Sequence, residues 1–421
     1  MELPVLIASM FVLLALRVPI AFAILGPSML YLSLNGFAPD LSFRLAIEGI
    51  ESWPLLAVPL FVLVGAAANH SGIAERLFDL VLDMMGKVRG ALGYVNVTAS
   101  LGFSWMSGAS LADVAGLGSV EVKQMQKRGY SDMFSAGVTT ASSLIGPIMP
   151  PSIPAIVYAS IAGVSTGAMF LAGIVPALVM FLILCLTVFL FTFRRPDLAG
   201  EPFNAKRLWR SAKRAVLPMI VPVIIIGGIL TGAFTPTEAA CVAAIFILVV
   251  SLFIVEGSKR SFFYKVFRDT VLTTASIMII LGASNILGWI LSRERVPFFM
   301  AQWIGGLTDS PVVFLLLSAL LLLIIGCFME SLSALVITVP VLLPIAIQFG
   351  VDPVHFGLVA ILSLMIGLLT PPFGAAVFVI SGATGIPIWT AFKGSLMFVP
   401  SLLIMLMLLI FVPELALFLV N

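Results

Sequence analysis

Long apolar stretches, separated by short polar segments, follow one another along the whole chain. A run of about 20 apolar residues is the length that a helix needs to cross the hydrocarbon core of a bilayer. The pattern therefore predicts an all-α integral membrane protein. The candidate spans lie near residues 2–16, 19–35, 54–70, 132–163, 166–193, 215–232, 236–255, 271–291, 354–385 and 391–418.

Two further apolar segments, 91–127 and 311–348, carry small or polar residues at their midpoints. A segment of this length with a polar centre can enter the membrane and return as a re-entrant helical hairpin. Irregular backbone at that depth survives only where protein or a water-filled cavity surrounds it. The alternative is two ordinary spans joined by a short loop. The two midpoints read Ser107-Gly108-Ala109-Ser110 and Glu330-Ser331-Leu332-Ser333.

The second half of the chain repeats features of the first half at a displacement of 221 residues. A Gly-x-x-x-Pro-Pro run follows each predicted hairpin, at Gly146–Pro151 and again at Gly367–Pro372. Scattered identities between apolar segments arise by chance, but two such runs in matching positions are hard to dismiss. We therefore predict two homologous halves that each contain a hairpin and a broken helix. The halves are residues 1–195 and 211–421, the linker is 196–210, and the broken helices are 132–163 and 354–385.

The distribution of basic residues predicts that the two halves are inverted. Residues 194–214 hold seven Lys and Arg against two acids, and such an excess marks the cytoplasmic side. Counting spans outward from this region places 71–90, 121–131 and 256–270 inside as well. The repeat partner of 121–131 is 342–352, which has no basic residue and falls outside. Both chain termini are then expected to face the periplasm.

Composition supports the membrane class and excludes others. The chain is 61% hydrophobic and only 10% charged, whereas a soluble domain carries about a quarter charged residues. The N-terminus lacks the basic start and the small-residue cleavage site of a signal peptide. The three cysteines, Cys185, Cys241 and Cys327, lie far apart and give neither a disulfide framework nor a metal-binding spacing.

The chain also lacks the residues of several enzyme classes. No Gly-x-x-x-x-Gly-Lys-[Ser/Thr] run is present to cradle a nucleotide phosphate, so transport would be driven by an ion gradient or by a separate chain. An enzyme site within the spans would need a nucleophile–base pair or a set of metal ligands. The chain has only two histidines and three scattered cysteines, so we do not expect such a site. We therefore expect a transporter rather than an enzyme, and no nucleic-acid partner.

The two Pro-Pro pairs indicate where such a transporter would bind its cargo. Transporters with inverted repeats bind substrate and coupling ions near the membrane midplane, where helices are interrupted. Each break should leave carbonyl oxygens that attract a cation and amides that attract a carboxylate. Hydroxyls at the breaks and the hairpin tips would add oxygen ligands for a hard cation. The alternative is that each Pro-Pro pair only kinks its helix and that the serines bond within their own helices.

Three acidic residues lie in or beside apolar segments. A carboxylate within a span is costly and is therefore a functional candidate by default. Asp113 follows the first hairpin tip and Glu330 lies at the second, so each could line the cation path or fix the hairpin geometry. Glu238 follows Pro236 at a predicted helix start, where an acid interacts favourably with the helix dipole, so two roles are open: a functional acid or simply a helix cap.

Three motifs, in order, resemble hallmarks of the large membrane subunit of tripartite ATP-independent periplasmic (TRAP) transporters. They are Ser107-Gly108-Ala109-Ser110-Leu111-Ala112-Asp113, Gly146-Pro147-Ile148-Met149-Pro150-Pro151-Ser152-Ile153-Pro154 and Phe234-Thr235-Pro236-Thr237-Glu238-Ala239. The resemblance covers essentially the whole chain. It implies an elevator-type transporter of the bacterial inner membrane, driven by a sodium gradient.

The resemblance also implies partners and site residues. The partners are a small four-helix membrane subunit, a soluble periplasmic binding protein and a small organic anion such as a C4-dicarboxylate, a sialic acid or another sugar acid. Proton-coupled transport of an organic anion without a binding protein, with Asp113 or Glu330 as the carrier, is the alternative. The implied sodium-site residues are Ser107, Gly108, Ser110, Gly146, Pro150, Glu330, Ser331, Gly367 and Thr370. The candidate substrate-binding residues are Ser152, Asp113, Ser333, Pro151 and Pro372.

Overall fold

The computed structural model describes residues 3–16, 18–194, 198, 203–255, 258–306 and 308–420. The regular elements in these ranges are helices. Within them, eight helices are long and apolar enough to cross a membrane. The all-α membrane fold predicted from the apolar runs is confirmed.

The first half of the chain forms eleven α-helices within the described residues, with short 3-10 helices at Trp53–Leu56 and Ser143–Ile145. Two of them, α3 and α5, lie in segments for which the sequence predicted no span. The α5 helix buries Ile73, Leu77 and Val81 on one face, so it is amphipathic, and a search for long apolar runs does not detect such a helix. The helices are α1 (Leu3–Ala15), α2 (Ile20–Leu34), α3 (Pro39–Glu48), α4 (Ala57–His70), α5 (Ile73–Met85), α6 (Ala91–Ser107), α7 (Ser110–Ala115), α8 (Leu117–Lys127), α9 (Asp132–Ser142), α10 (Ile153–Ala162) and α11 (Thr166–Thr192).

The helices of the second half begin within the segment 196–210, which the sequence analysis assigned to a linker. The first of these helices, α12, starts at Ala205, because the Asn204 side chain accepts hydrogen bonds from the amides of Lys206 and Arg207 and caps the helix there. The helices are α12 (Ala205–Pro222), α13 (Gly228–Leu230), α14 (Pro236–Ile254), α15 (Lys259–Arg293), α16 (Val296–Gly305), α17 (Pro311–Phe328), α18 (Ser331–Gln348), α19 (Pro353–Gly367), α20 (Ala375–Thr384), α21 (Ile388–Phe411) and α22 (Glu414–Leu417).

Both predicted hairpins and both predicted broken helices are present. The first hairpin runs down α6 and returns through α7 and α8, and the second consists of α17 and α18. At the first tip Gly108 has φ +61°, a left-handed conformation that glycine adopts without steric cost. The broken helices are α9 with α10 and α19 with α20, interrupted at residues 146–152 and 368–374. We call these interruptions the first break and the second break.

The helices pack into two groups that meet at α15. Helices α1 to α3 surround the C-terminal half of α15 and share a hydrophobic cluster with it that includes Leu6, Ile24, Leu45 and Ile290. The hairpins and broken helices, with α11 and α21, belong to a second and larger cluster. Helix α15 also packs against α18 and therefore borders both groups along its length.

Contacts between distant segments agree with the inverted topology. His70 Nε2 lies 2.8 Å from Asp269 Oδ2, and Arg207 Nε donates a hydrogen bond of 3.1 Å to Asp83 Oδ1. Each pair joins two segments that the charge pattern places at the cytoplasmic side. A fold in which these segments lay on opposite faces of a membrane would separate both pairs.

Labelling of single cysteines should report this topology directly. In a variant without Cys185, Cys241 and Cys327, we expect Lys259→Cys to react with a membrane-impermeant maleimide only from the cytoplasm. Gln348→Cys should react only from the periplasm, since it precedes the outer end of the second hairpin; both positions are exposed. Labelling of the two positions from the same side would contradict the inverted arrangement.

Candidate functional site

A cavity of about 660 Å³ lies between the two hairpin tips. One wall consists of the tips and the breaks, and includes Ser110, Ser331 and Pro147. The opposite wall consists of the start of α2 and the middle of α15, and includes Phe22 and Ser276. The inverted repeat thus brings two segments 221 residues apart in sequence to one site.

Hydroxyl groups and apolar side chains form most of the cavity wall. The polar lining residues are Ser110, Thr273, Ser276, Ser331, Ser333 and one acid, Glu330. Among the described lining residues there is no lysine, arginine or histidine. An anionic ligand in this cavity would therefore find hydrogen-bond donors but no basic side chain to balance its charge.

The first tip and the first break together hold a carboxylate that is only half paired. Asp113 is 3% exposed, and its Oδ1 accepts a short hydrogen bond from the Ser107 hydroxyl. Its Oδ2 is buried and has no hydrogen-bond partner in the described part of the chain. A Cβ added to Gly146 would lie 2.8 Å from that oxygen, so Oδ2 faces the break. A buried carboxylate oxygen next to interrupted backbone suits a hard cation.

The first tip is fixed to the break by backbone and hydroxyl contacts. The Ile153 amide donates a hydrogen bond of 3.3 Å to the Gly108 carbonyl, and Ser110 Oγ lies 2.9 Å from Ser143 Oγ. The Ser152 hydroxyl accepts from the Ala155 amide at 3.1 Å and caps α10. The predicted substrate residue Ser152 is thus already engaged in forming the helix start.

The second tip is organised differently from the first. Glu330 caps α18, because its Oε2 accepts hydrogen bonds from the Leu332 amide at 2.9 Å and the Ser333 amide at 3.2 Å. The Ser331 hydroxyl donates to Glu330 Oε1 at 2.9 Å. Both oxygens of this carboxylate are therefore occupied by its own hairpin.

The second tip packs against the second break through two glycines. A Cβ added to Gly367 would lie 2.6 Å from Gly326 Cα, so the two backbones are in direct contact. Thr370 Oγ1 donates to the Gly367 carbonyl at 2.9 Å and lies 2.8 Å from Cys327 Sγ. The oxygens at this break are neutral, whereas the first break has a carboxylate.

The candidate sodium-binding and substrate-binding residues from the sequence fall into three groups by position in the structure. Their roles remain predictions. The first set lines the cavity: Ser110, Glu330, Ser331 and Ser333. The second lies at the contacts between tips and breaks: Ser107, Gly108, Asp113, Gly146, Gly367 and Thr370. The third lies in the breaks and is not among the described residues that line the cavity: Pro150, Pro151, Ser152 and Pro372, of which Pro151 also contacts Gly108 of the first tip through its carbonyl oxygen.

Sequence reasoning missed one buried acid. Glu121 is 1% exposed and accepts a hydrogen bond of 2.8 Å from Asn96 Nδ2. Counting charges assigned residues 121–131 to a cytoplasmic loop, whereas Glu121 lies in α8. The spacing was a usable signal, because Leu117, Glu121 and Met125 recur every four residues and share the buried face of the helix.

The cap predicted at Glu238 is confirmed. The Thr235 amide donates to Glu238 Oε2 at 2.8 Å, and the Glu238 amide donates to Thr235 Oγ1 at 3.3 Å. This reciprocal pair is a capping box at the start of α14. The motif Phe234–Ala239 therefore has a structural role in beginning a membrane helix.

Known proteins with similar sequences are transporter permeases. The chain is 40% identical over 402 residues to the sialic acid TRAP transporter large permease protein SiaM of Vibrio cholerae, covering 95% of this chain and 94% of that protein. It is 37% identical over 389 residues to the C4-dicarboxylate TRAP transporter large permease protein DctM of Pseudomonas aeruginosa, covering 91% of each. It is also 32% identical to the 2,3-diketo-L-gulonate TRAP transporter large permease protein YiaN of Escherichia coli, over 95% of each chain.

A solved structure shares the fold at low sequence identity. The YdaH transporter of Alcanivorax borkumensis superposes with a TM-score of 0.59 at 15% identity, covering 87% of each chain. Residues 7–415 match the family described as the tripartite ATP-independent periplasmic transporter, DctM component. The chain therefore belongs to the DctM-component family of TRAP transporters, and it is a multi-pass inner-membrane transporter subunit rather than an enzyme.

Proposed function

We propose that this chain carries a small organic carboxylate inward across the membrane, driven by a sodium gradient, after a periplasmic binding protein has delivered it. The observation that carries the proposal is the cavity between the hairpin tips, whose described lining is rich in hydroxyls and holds no basic side chain. A bound anion needs positive charge nearby, and sodium ions at the adjacent breaks would supply it. This dependence would couple the two cargoes.

The first of the two sodium positions is at the first break. Asp113 Oδ2 has no partner among the described residues and faces Gly146, and a hard cation prefers such an oxygen. The second position, near Thr370 and Gly367, would rely on neutral oxygens. We therefore expect the two sites to differ in sodium affinity, because a negatively charged carboxylate attracts the ion at the first site and only neutral oxygens do so at the second.

The position of the cavity supports an elevator mechanism. The hairpins and broken helices form one wall, and α2 and α15 form the other. A second cavity of about 500 Å³ lies further along α15, lined by Ser284 and Asn285 on that helix and by Ser160 and Val336 on the opposite wall. Moving the hairpins and broken helices as one body along α15 would carry the site from one cavity to the other.

The substrate class and the partners follow from the same proposal. Three relatives are named for sialic acid, C4-dicarboxylate and 2,3-diketo-L-gulonate, and each of these compounds carries a carboxylate. The shared group supports a carboxylate substrate for this chain. The family description is tripartite, which supports a small four-helix membrane subunit and a periplasmic binding protein as the other two components. The exposed apolar surfaces of the helices would contact lipid and the small subunit.

Uptake into proteoliposomes tests this function. The chain, reconstituted with the small subunit of its own system, should accumulate a labelled carboxylate only with an inward sodium gradient and the loaded binding protein outside. A proton gradient in sodium-free buffer should give background uptake. Equal uptake under a proton gradient, without binding protein, would instead favour a proton-coupled organic-anion transporter.

A further inference from the structure

A second buried carboxylate lies in the first hairpin, away from the cavity. Glu121 Oε2 accepts one hydrogen bond, from Asn96 Nδ2 at 2.8 Å. Its Oε1 is buried and has no partner within the described ranges. In those same ranges no lysine, arginine or histidine is paired with it. A fully buried carboxylate with one neutral donor is costly if it is ionised.

The charges around Glu121 make the ionised form still less favourable. Asp113, on the neighbouring helix α7, is a second buried acid in the same hairpin, and α7 packs against α8. Two like charges in a buried region disfavour each other's ionised form. The other charged residues on α8 and on the helices packed against it are Asp132 on α9, Glu75, Arg76, Asp79 and Asp83 on α5, and the exposed Lys123 and Lys127 on α8 itself.

Two side-chain hydrogen bonds and one step along the backbone lead from Glu121 to the first tip. Asn96 Oδ1 accepts a hydrogen bond of 2.8 Å from Ser142 Oγ. Ser142 is followed in the chain by Ser143, whose Oγ lies 2.9 Å from Ser110 Oγ at the first tip. The carboxyl group is therefore physically connected to the residues that close the first tip.

We propose that Glu121 is a proton-binding site, neutral when the first break holds no cation and ionised when a cation binds beside Asp113. The cation part of this statement rests on the proposed function. The proton part rests on the geometry of Glu121 alone. The proton leaves Glu121 for solvent when the cation neutralises Asp113, and returns when the cation leaves.

The Asn96 side chain can serve both protonation states. Asn96 Nδ2 donates to Glu121 Oε2 at 2.8 Å and to Thr139 Oγ1 at 2.7 Å, and an ionised Glu121 would accept this hydrogen bond without rearrangement. With a neutral Glu121, the amide turns by half a revolution, so that the carboxyl O–H donates to Asn96 Oδ1 and Nδ2 donates to Ser142 Oγ. The amide oxygen and nitrogen have nearly the same size, so the rotation preserves the packing.

The sign of the coupling follows from charge. A neutral Glu121 removes a negative charge from the region of the first break, so it weakens cation binding there. By linkage, a bound cation weakens proton binding to Glu121 by the same factor. Acidification should therefore lower sodium affinity in the wild-type chain.

Sodium binding to the purified chain tests the coupling, measured by thermal stabilisation at a series of pH values. A ligand that binds only the folded state raises the unfolding temperature with concentration. We expect the wild-type sodium half-saturation to rise about fivefold or more on acidification, as coupled sites typically show. Glu121→Gln, which stays neutral, should keep one weak affinity at every pH. The control Glu75→Gln, at an exposed acid on α5, should behave as wild type.

Infrared spectroscopy provides a readout of the proton itself. Without sodium, the wild-type chain should show the carbonyl band of a protonated carboxylic acid, which sodium reduces and Glu121→Gln lacks. Should Glu121→Gln fail to fold, Asp113→Asn decides: it keeps Glu121 but lacks the other buried carboxyl of this region, so it should still show the band, and its absence there would overturn the proposal. Retention of the wild-type pH dependence in Glu121→Gln, or of the band, overturns the proposal. Absence of sodium binding at every pH overturns the sodium-driven function, while the band still tests the proton site.

Discussion

Replacing Asp113 with asparagine is expected to raise the sodium concentration for half-maximal uptake at least tenfold. Asparagine keeps the shape of the side chain and can still accept the Ser107 hydrogen bond. It removes the negative charge from the oxygen that faces Gly146. Interactions with a charged partner contribute about 1.5–3 kcal/mol, which corresponds to roughly a factor of 10 to 150 in affinity. Initial uptake rates at increasing sodium and fixed substrate measure the shift.

The matched control for this substitution is Glu238→Gln. Glu238 is also an acid within a membrane helix, but its carboxylate is used in the capping box with Thr235. We expect a small loss of stability, about 0.5–2 kcal/mol for a disturbed cap, and an unchanged sodium dependence. If Asp113→Asn retained the wild-type sodium dependence, the Asp113 carboxylate would only hold the first tip in place through Ser107.

Most of the long apolar helices could be predicted from the sequence because the bilayer fixes the length of an apolar span. The predicted spans 2–16 and 19–35 are exceptions, since they form helices of 13 and 15 residues, shorter than a full crossing needs. The helices α3, α5 and α16 were not predicted, because none of them forms a long apolar run. They are 10, 13 and 10 residues long, and in α3 and α5 charged residues interrupt the apolar ones, so a search for long apolar runs does not report them. The start of α12 was missed because it depends on a side-chain cap at Asn204 inside a basic segment.

The location of the candidate site was predictable, but the state of its carboxylates was not. Proline pairs and polar midpoints reveal tips and breaks, because both interrupt regular helices. Asp113 and Glu330 both lie at a polar hairpin midpoint in the sequence. In the structure Glu330 precedes α18 and accepts hydrogen bonds from its first amides, whereas Asp113 lies inside α7 and accepts a hydrogen bond from Ser107. The pairing of Glu121 with Asn96, 25 residues earlier, depends on how α6 and α8 pack.

A large effect is also expected from Gly108→Ala, which tests the contact between the first tip and the first break. Gly108 has φ +61°, where a residue with a side chain loses about 1–2 kcal/mol. An added Cβ would collide with the Pro151 carbonyl oxygen and would lie 3.4 Å from the Ile153 amide nitrogen. Both are backbone atoms, so they cannot move aside as a flexible side chain would.

We expect Gly108→Ala to reduce uptake at saturating sodium more than tenfold and to lower the unfolding temperature, since overpacking typically costs about 1–3 kcal/mol in addition to the strain. Gly102→Ala, in the preceding helix α6, is the matched control, because no described heavy atom lies within 4 Å of its added Cβ. It should insert, unfold and transport as wild type, because alanine favours a helix over glycine. Wild-type uptake by Gly108→Ala would mean that the tip and the break separate during transport without consequence, and that the first cation site does not depend on their contact.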